Sequence, residues 1–260
     1  MAAAAVLVGC AAGQDSDARA MLRRAGSVTY PERFTLVDRP DAPGLQRCFT
    51  DEVPVTVAVD RSAGAASISR AGEAVVAIVS SGVAWIDAAA ATDGQLVGWI
   101  EVTAQDPSED REMLLQAVGP SVAAYVSGFE LPESPGVTAS GARESAASIE
   151  LRDDGTVRAV IERLTSVDDG DVDDGGEELE FTVDFVFDDA GRVASIAARP
   201  SIVPESTADE EESFGYVLDY DWSGGAQIEL PDPATITPAR AVVDAIVVPI
   251  RSAFECSIGG

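Results

Sequence analysis

Apolar residues recur at every second position in several separated stretches of this chain, a period that strands satisfy and amphipathic helices do not. The clearest case is residues 178–187, where Leu179, Phe181, Val183, Phe185 and Phe187 alternate with Glu178, Glu180, Thr182 and Asp184. Such a strand buries one face and wets the other. Val53, Val55, Val57 and Val59 keep the same rhythm against Pro54, Thr56, Ala58 and Asp60. So do Phe214, Tyr216, Leu218, Tyr220 and Trp222. Shorter strands are predicted at 65–70, 74–79, 83–87 and 97–103, set apart by Gly64, Gly72, Gly82 and Asp93-Gly94. Turn residues at those intervals describe an antiparallel meander. A second meander starts with 148–152 and 157–164 around Asp153-Asp154-Gly155. It continues through Asp188-Asp189-Ala190-Gly191 into 192–198, and Ser223-Gly224-Gly225 leads to a last strand at 227–230.

The period changes over residues 106–130. Asp106-Pro107-Ser108 opens a helix with Met113, Leu114, Ala117 and Val118 on one stripe, and Gly119-Pro120 breaks it. Val122, Tyr125, Val126 and Phe129 continue the stripe. A brief helix is also predicted at 17–25, capped by Asp17 and stopped by Gly26. Residues 26–48, with Pro31, Pro40 and Pro43, read as irregular, and 132–145 as a Pro/Gly/Ser-rich connection. The run Asp209-Glu210-Glu211-Glu212 reads as a solvated loop, and 238–260 mixes helical and strand signals. The fold class is therefore α+β. We expect a long, curved antiparallel sheet (a half-barrel) with the helical segments of 106–130 packed on its concave apolar face.

The first ten residues end in Leu7-Val8-Gly9-Cys10 after an Ala-rich apolar run. This matches a lipobox, in which small residues precede a Cys that is acylated and becomes the new N-terminus. The run is too short to span a bilayer, which takes about 20 apolar residues. No positively charged segment precedes it, so we expect residues 1–9 to be the remnant of a signal peptide. Residues 10–16 would then be the lipidated N-terminus and a polar tether. The expected folded domain is 17–238, followed by a C-terminal extension at 239–260. Three cysteines are present, Cys10, Cys48 and Cys256. With Cys10 acylated, an even pair remains in an oxidising compartment. A Cys48–Cys256 disulfide would close a loop of about 200 residues and stabilise the fold by roughly 4–5 kcal/mol in the chain-entropy treatment. Two buried free thiols are the alternative.

Charge excludes several functions. There are 45 acidic residues against 17 basic ones, all arginine, for a net charge of −28. Nucleic acid and anionic lipid would both be repelled, so membrane attachment must come from acyl chains. The absence of histidine removes Ser-His-Asp and Cys-His catalysis and His-ligated zinc. Carboxylate chemistry stays open, but with 45 acids no single pair stands out. No phosphate loop, nucleophile elbow or internal repeat is present. The loop 168–178 places Asp169, Asp171, Asp173 and Glu180 at calcium-loop spacing. However, Asp174 sits where such a loop needs glycine and the flanking segments are strands, so a solvated hairpin is the expectation. Neither a cofactor nor a catalytic residue is expected.

The order of elements resembles the LolA-like lipoprotein-carrier fold, particularly the actinobacterial LppX/LprG-type lipoproteins. The resemblance rests on Val83–Asp87 and Gly98–Val102 before the helix, on Phe185–Val193, and on Tyr216–Trp222 through Ile228–Pro231. It implies a hydrophobic cavity between sheet and helices that takes up the acyl chains of lipids or glycolipids. Candidate cavity residues on the inward face are Val57, Ile68, Val76, Trp85, Ile100, Phe181, Phe185 and Tyr216. The alternative, which weighs more for any one of them, is that they pack against the helices as an ordinary core. Three functions follow as expectations. One is an anchored, monomeric, non-catalytic carrier of a lipid or another apolar ligand outside the cytoplasm. A second is a structural or protein-interaction lipoprotein with a filled core. The third is a carboxylate-dependent hydrolase of envelope polymers.

Overall fold

The computed structural model describes residues 4–40, 54–70, 74–164, 178–201, 215–225 and 227–245. The chain divides into two compact units. The first-meander unit takes Pro31–Pro132 with Tyr220–Gly260, and the second-meander unit takes Met1–Tyr30 with Glu133–Asp219.

In the first-meander unit six strands follow one another as antiparallel neighbours: β1 (Arg33–Pro40), β2 (Val55–Asp60), β3 (Ala65–Arg70), β4 (Val75–Ser80), β5 (Val83–Asp87) and β6 (Trp99–Thr103). β1 corrects the expectation of an irregular stretch. Pro31 and Pro40 bracket it rather than interrupt it, and Phe34 and Leu36 are buried. A one-turn helix, α2 (Ala88–Ala91), is capped by the Asp87 carboxylate, which accepts from Ala90 N at 2.8 Å. The helical segment of 106–130 is α3 (Ser108–Val118) and α4 (Pro120–Val126). Gly119 separates them at φ +86°, a conformation open to glycine, and Pro120 opens α4, where its missing N–H is harmless. The strand predicted at 227–230 is not formed. Instead β12 (Ile236–Pro238) pairs parallel with β6 and runs into α6 (Ala239–Val243), where Arg240 meets Asp110 of α3 at 3.2 Å.

The second-meander unit holds β7 (Ser148–Leu151), β8 (Val157–Leu164), β9 (Glu178–Phe187) and β10 (Val193–Ser201), again antiparallel neighbours. Helix α1 spans Ala4–Ser27, so it runs through the stretch expected to be a tether, as its alanine content favours. The expected connection at 132–145 is also corrected. It contains α5 (Pro135–Ser145), whose buried Pro135, Gly136, Ala139 and Ala142 recur at helical spacing. Small residues let α5 lie close to α1: a Cβ at Gly136 would stand 2.8 Å from the Ala25 carbonyl oxygen.

β11 (Tyr216–Asp221) is common to both units and pairs with β10. Among the described residues the strands make one open sheet, ordered β12-β6-β5-β4-β3-β2-β1-β11-β10-β9-β8-β7, antiparallel except for β12 beside β6. The fold class is α+β, as the alternation requires.

Candidate functional site

Among the described residues the most extended apolar face belongs to the first-meander unit. Opposed residues of antiparallel strands share a face, so the pairing aligns two rows across β1 to β6. One row is Leu36, Val57, Ile68, Ala77, Ile86 and Ile100; the other is Phe34, Val59, Ala66, Val79, Ala84 and Val102. None of the twelve is more than 2% exposed. α4 packs on β3 and β4. Two contacts fix the covered face: Arg70, on the Ile68 face, donates to the Val118 carbonyl, and the Tyr125 hydroxyl of α4 donates to Asp38 at 2.7 Å. Leu114, Val118, Val122 and Val126 of the helices are buried as well. Burial pushes the Asp38 carboxyl above its ordinary value, and the bond from Tyr125 only partly offsets that.

The predicted cavity residues do not converge. Val57, Ile68 and Ile100 lie in the Ile68 row. Trp85 does not: it faces the opposite side of the sheet, packed with Ala65, Ile78 and Ile228, and Val75, Val83, Trp99 and Ile236 border that cluster. The correction has a physical cause. β4 and β5 are each buried on both faces, and their runs Val75–Val79 and Val83–Ile86 carry no alternation from which to choose a side. Val76 is the extra residue of a β-bulge between the pairs Ile68–Ala77 and Ser69–Val75. Phe185 and Phe181 belong to the second-meander unit, the first fully buried and the second half-buried. Tyr216, expected inward, is 46% exposed at the start of β11.

Sequence reasoning missed Phe34 and Leu36, which open both rows. A period of two does run through Phe34, Leu36 and Asp38, but the flanking prolines masked it. It also missed an aromatic group in the same unit: the Trp222 ring lies 5.0 Å from Phe34 and stacks on Tyr220 at 5.3 Å. The Arg61 guanidinium sits 5.7 Å from the Phe34 centroid. At the rim, the buried Asp60 accepts from Arg33 Nε at 2.8 Å, Ser62 Oγ and Ala63 N. The Ser62 hydroxyl does most to hold its carboxyl below the usual range, against burial and with help from Ala63 and Arg33.

Cys10 lies within α1, while Cys48, Cys256 and the calcium candidates Asp169, Asp171 and Asp173 fall outside the described residues. Among the described residues no three His, Cys, Asp or Glu side chains are grouped to hold a metal, and no helix is long and apolar enough to cross a membrane. An open concavity of about 470 Å³ at the β7–β8 turn is lined by Glu150, Leu151, Arg152, Asp153 and Asp154. Its charged walls suit water better than an apolar ligand.

No family model and no curated protein matches the chain. Among solved structures it is similar to the lipoprotein LppX of Mycobacterium tuberculosis, at 14% identity and a TM-score of 0.36, over 83% of this chain and 99% of that one. It is also similar to a LolA superfamily protein of Nitrosomonas europaea, at 13% identity and a TM-score of 0.29, over 84% and 96% of the two chains. Both belong to the group that the sequence resembles.

Proposed function

We propose that this chain is an envelope lipoprotein, held outside the cytoplasm by an acylated Cys10, that binds or carries a lipid or another apolar ligand without catalysis. The observation that carries the reading is the double apolar row across β1 to β6, with α4 packed on β3 and β4 and the end of α3 held to β3 by Arg70. A ligand with an acyl chain gains about 0.8 kcal/mol for each CH₂ removed from water, so such a surface needs no reactive group. The roof is two short helices jointed at Gly119-Pro120 rather than one continuous rod. The remaining cysteines, Cys48 and Cys256, form a disulfide in the same reading.

Native mass spectrometry of the lipidated protein tests the proposal. The expected result is a noncovalent lipid released on activation, and its loss in Ala77→Phe, which places a ring in the middle of the Ile68 row. A parent protein with no bound lipid, and no uptake of a fluorescent fatty-acyl probe, rejects the carrier reading. A structural or interaction lipoprotein with a filled core would then stand, the reading favoured by the complete burial of Val57, Ile68 and Ile100.

A further inference from the structure

We propose that helix α1 is a short, stiff spacer that presents one end of the second-meander unit to the bilayer, the end bearing Ser145 of α5 and Ser148 of β7. The inference rests on the acyl-anchor reading of Cys10. It departs from a flexible tether, because Cys10 falls inside a helix that continues to Ser27. Ala18, Leu22 and Ala25 of that helix are fully buried, and Ala18 comes eight residues after Cys10. At a helical rise that span is roughly 12 Å, and even fully extended it is only about 28 Å. Gly13 lies in the span without ending the helix. The Asp15–Arg19 ion pair, at 2.8 Å and i,i+4 spacing, braces the turn before Ala18.

The end that faces the bilayer follows from how α1 and α5 lie. Arg19 donates to the Arg143 carbonyl near the end of α5, whereas Gly136 near its start stands beside Ala25. The two helices are therefore antiparallel, and the finish of α5 is on the Cys10 side. Ser148 of β7 comes three residues after Ser145 and shares that end. The Asp188–Arg192 turn marks the opposite end, where Arg24 donates to the Ala190 carbonyl and the Val193 amide to Tyr30. Along α1, the Arg19 and Arg24 levels differ by about 8 Å.

The test places a bioorthogonal fluorophore at Ser145 or at Asp189 of the lipidated full chain. The protein sits on phosphatidylcholine vesicles doped with a headgroup-labelled acceptor lipid, and energy transfer is read. Transfer is expected to be stronger from Ser145 than from Asp189. An eight-residue Gly-Ser insertion between Ala12 and Gly13 should weaken both signals and abolish the difference. Equal transfer from the two positions in the parent protein overturns the spacer. An intact mass lacking diacylglycerol on Cys10 overturns the anchor reading instead. In that event a lipid maleimide coupled to Cys10 in a C48S/C256S background yields the same two transfers, and they decide the geometry.

Discussion

The two meanders, with strands of 5 to 8 residues in the first and 4 to 10 in the second, cover their sheets differently. In the first, both faces of β3 to β6 are occupied: helices roof the Ile68 side, and the segment containing Ile228 and Ile236 lies on the Trp85 side. In the second, α1 and α5 cover one face, where Ile149, Ala159, Val183 and Ala198 form one buried row and Val157, Phe185 and Ile196 another. The other face carries charge: Arg158 grips Asp184 through two bonds of 2.7 Å, with Glu150 beside Arg158 in register and Arg199 at 3.8 Å from Asp184. The strand patterns mirror this. β9 alternates and is covered once, whereas β4 reads Val-Val-Ala-Ile-Val and is covered twice. An apolar run in an antiparallel sheet therefore signals a second covering layer, here supplied by sequence about 150 residues downstream.

Substitutions can break or sharpen that contrast. The largest effect is expected from Phe185→Ala, which empties a fully buried site in the singly covered sheet; about 3–5 kcal/mol should be lost in urea denaturation. Ile228→Ala tests the second layer. Its side chain is 8% exposed and covers Trp85, so a loss of about 2 kcal/mol is expected, together with a red shift of tryptophan emission as Trp85 meets water. No change in emission would mean that the second layer does not shield the indole.

The carboxylates of the first meander should give a smaller effect that depends on pH. Asp60 is held below the ordinary range, so its stabilisation is present above that range and fades as pH falls through its folded value. Asp38 is raised by burial, so its contribution is present in acid and is lost as pH rises through its folded value. From acid to neutral pH, urea midpoints of Asp60→Asn should fall behind the parent, and those of Asp38→Asn should gain on it. The smallest effect concerns the charged face. A double-mutant cycle on Arg158 and Asp184 should return about 1 kcal/mol, and the exposed Arg152–Glu150 pair near zero. Raising the salt concentration should weaken the first coupling.

Local signals carried much of this fold. β3 and β5 have the bounds that alternation and turn glycines predict, and the Gly119-Pro120 break falls where the sequence puts it. What was illegible depended on long-range pairing or on composition that suits two states. β1 is a strand because β2 lies beside it, although its flanking prolines suggest a loop. The segment 135–145 has loop-like Pro, Gly and Ser, yet its small residues are what α1 requires at close range. β12 pairs with a strand far behind it in the chain, and no local pattern announces that. At the candidate site, the period puts Val57, Ile68 and Ile100 on faces that the pairing joins into one row. It could not assign Trp85, since a doubly covered sheet has no outer side to exclude.

The place of β11 bears on how the protein is made. β1 lies between β2 and β11, and on a ribosome β1 to β6 emerge long before residue 216. During that interval the outer edge of β1 is unpaired, and Phe34 lacks the Tyr220 and Trp222 rings that later stand against it. An open edge beside apolar side chains is a template for association with other chains. A holding chaperone would have reason to recognise the β1 edge during that interval.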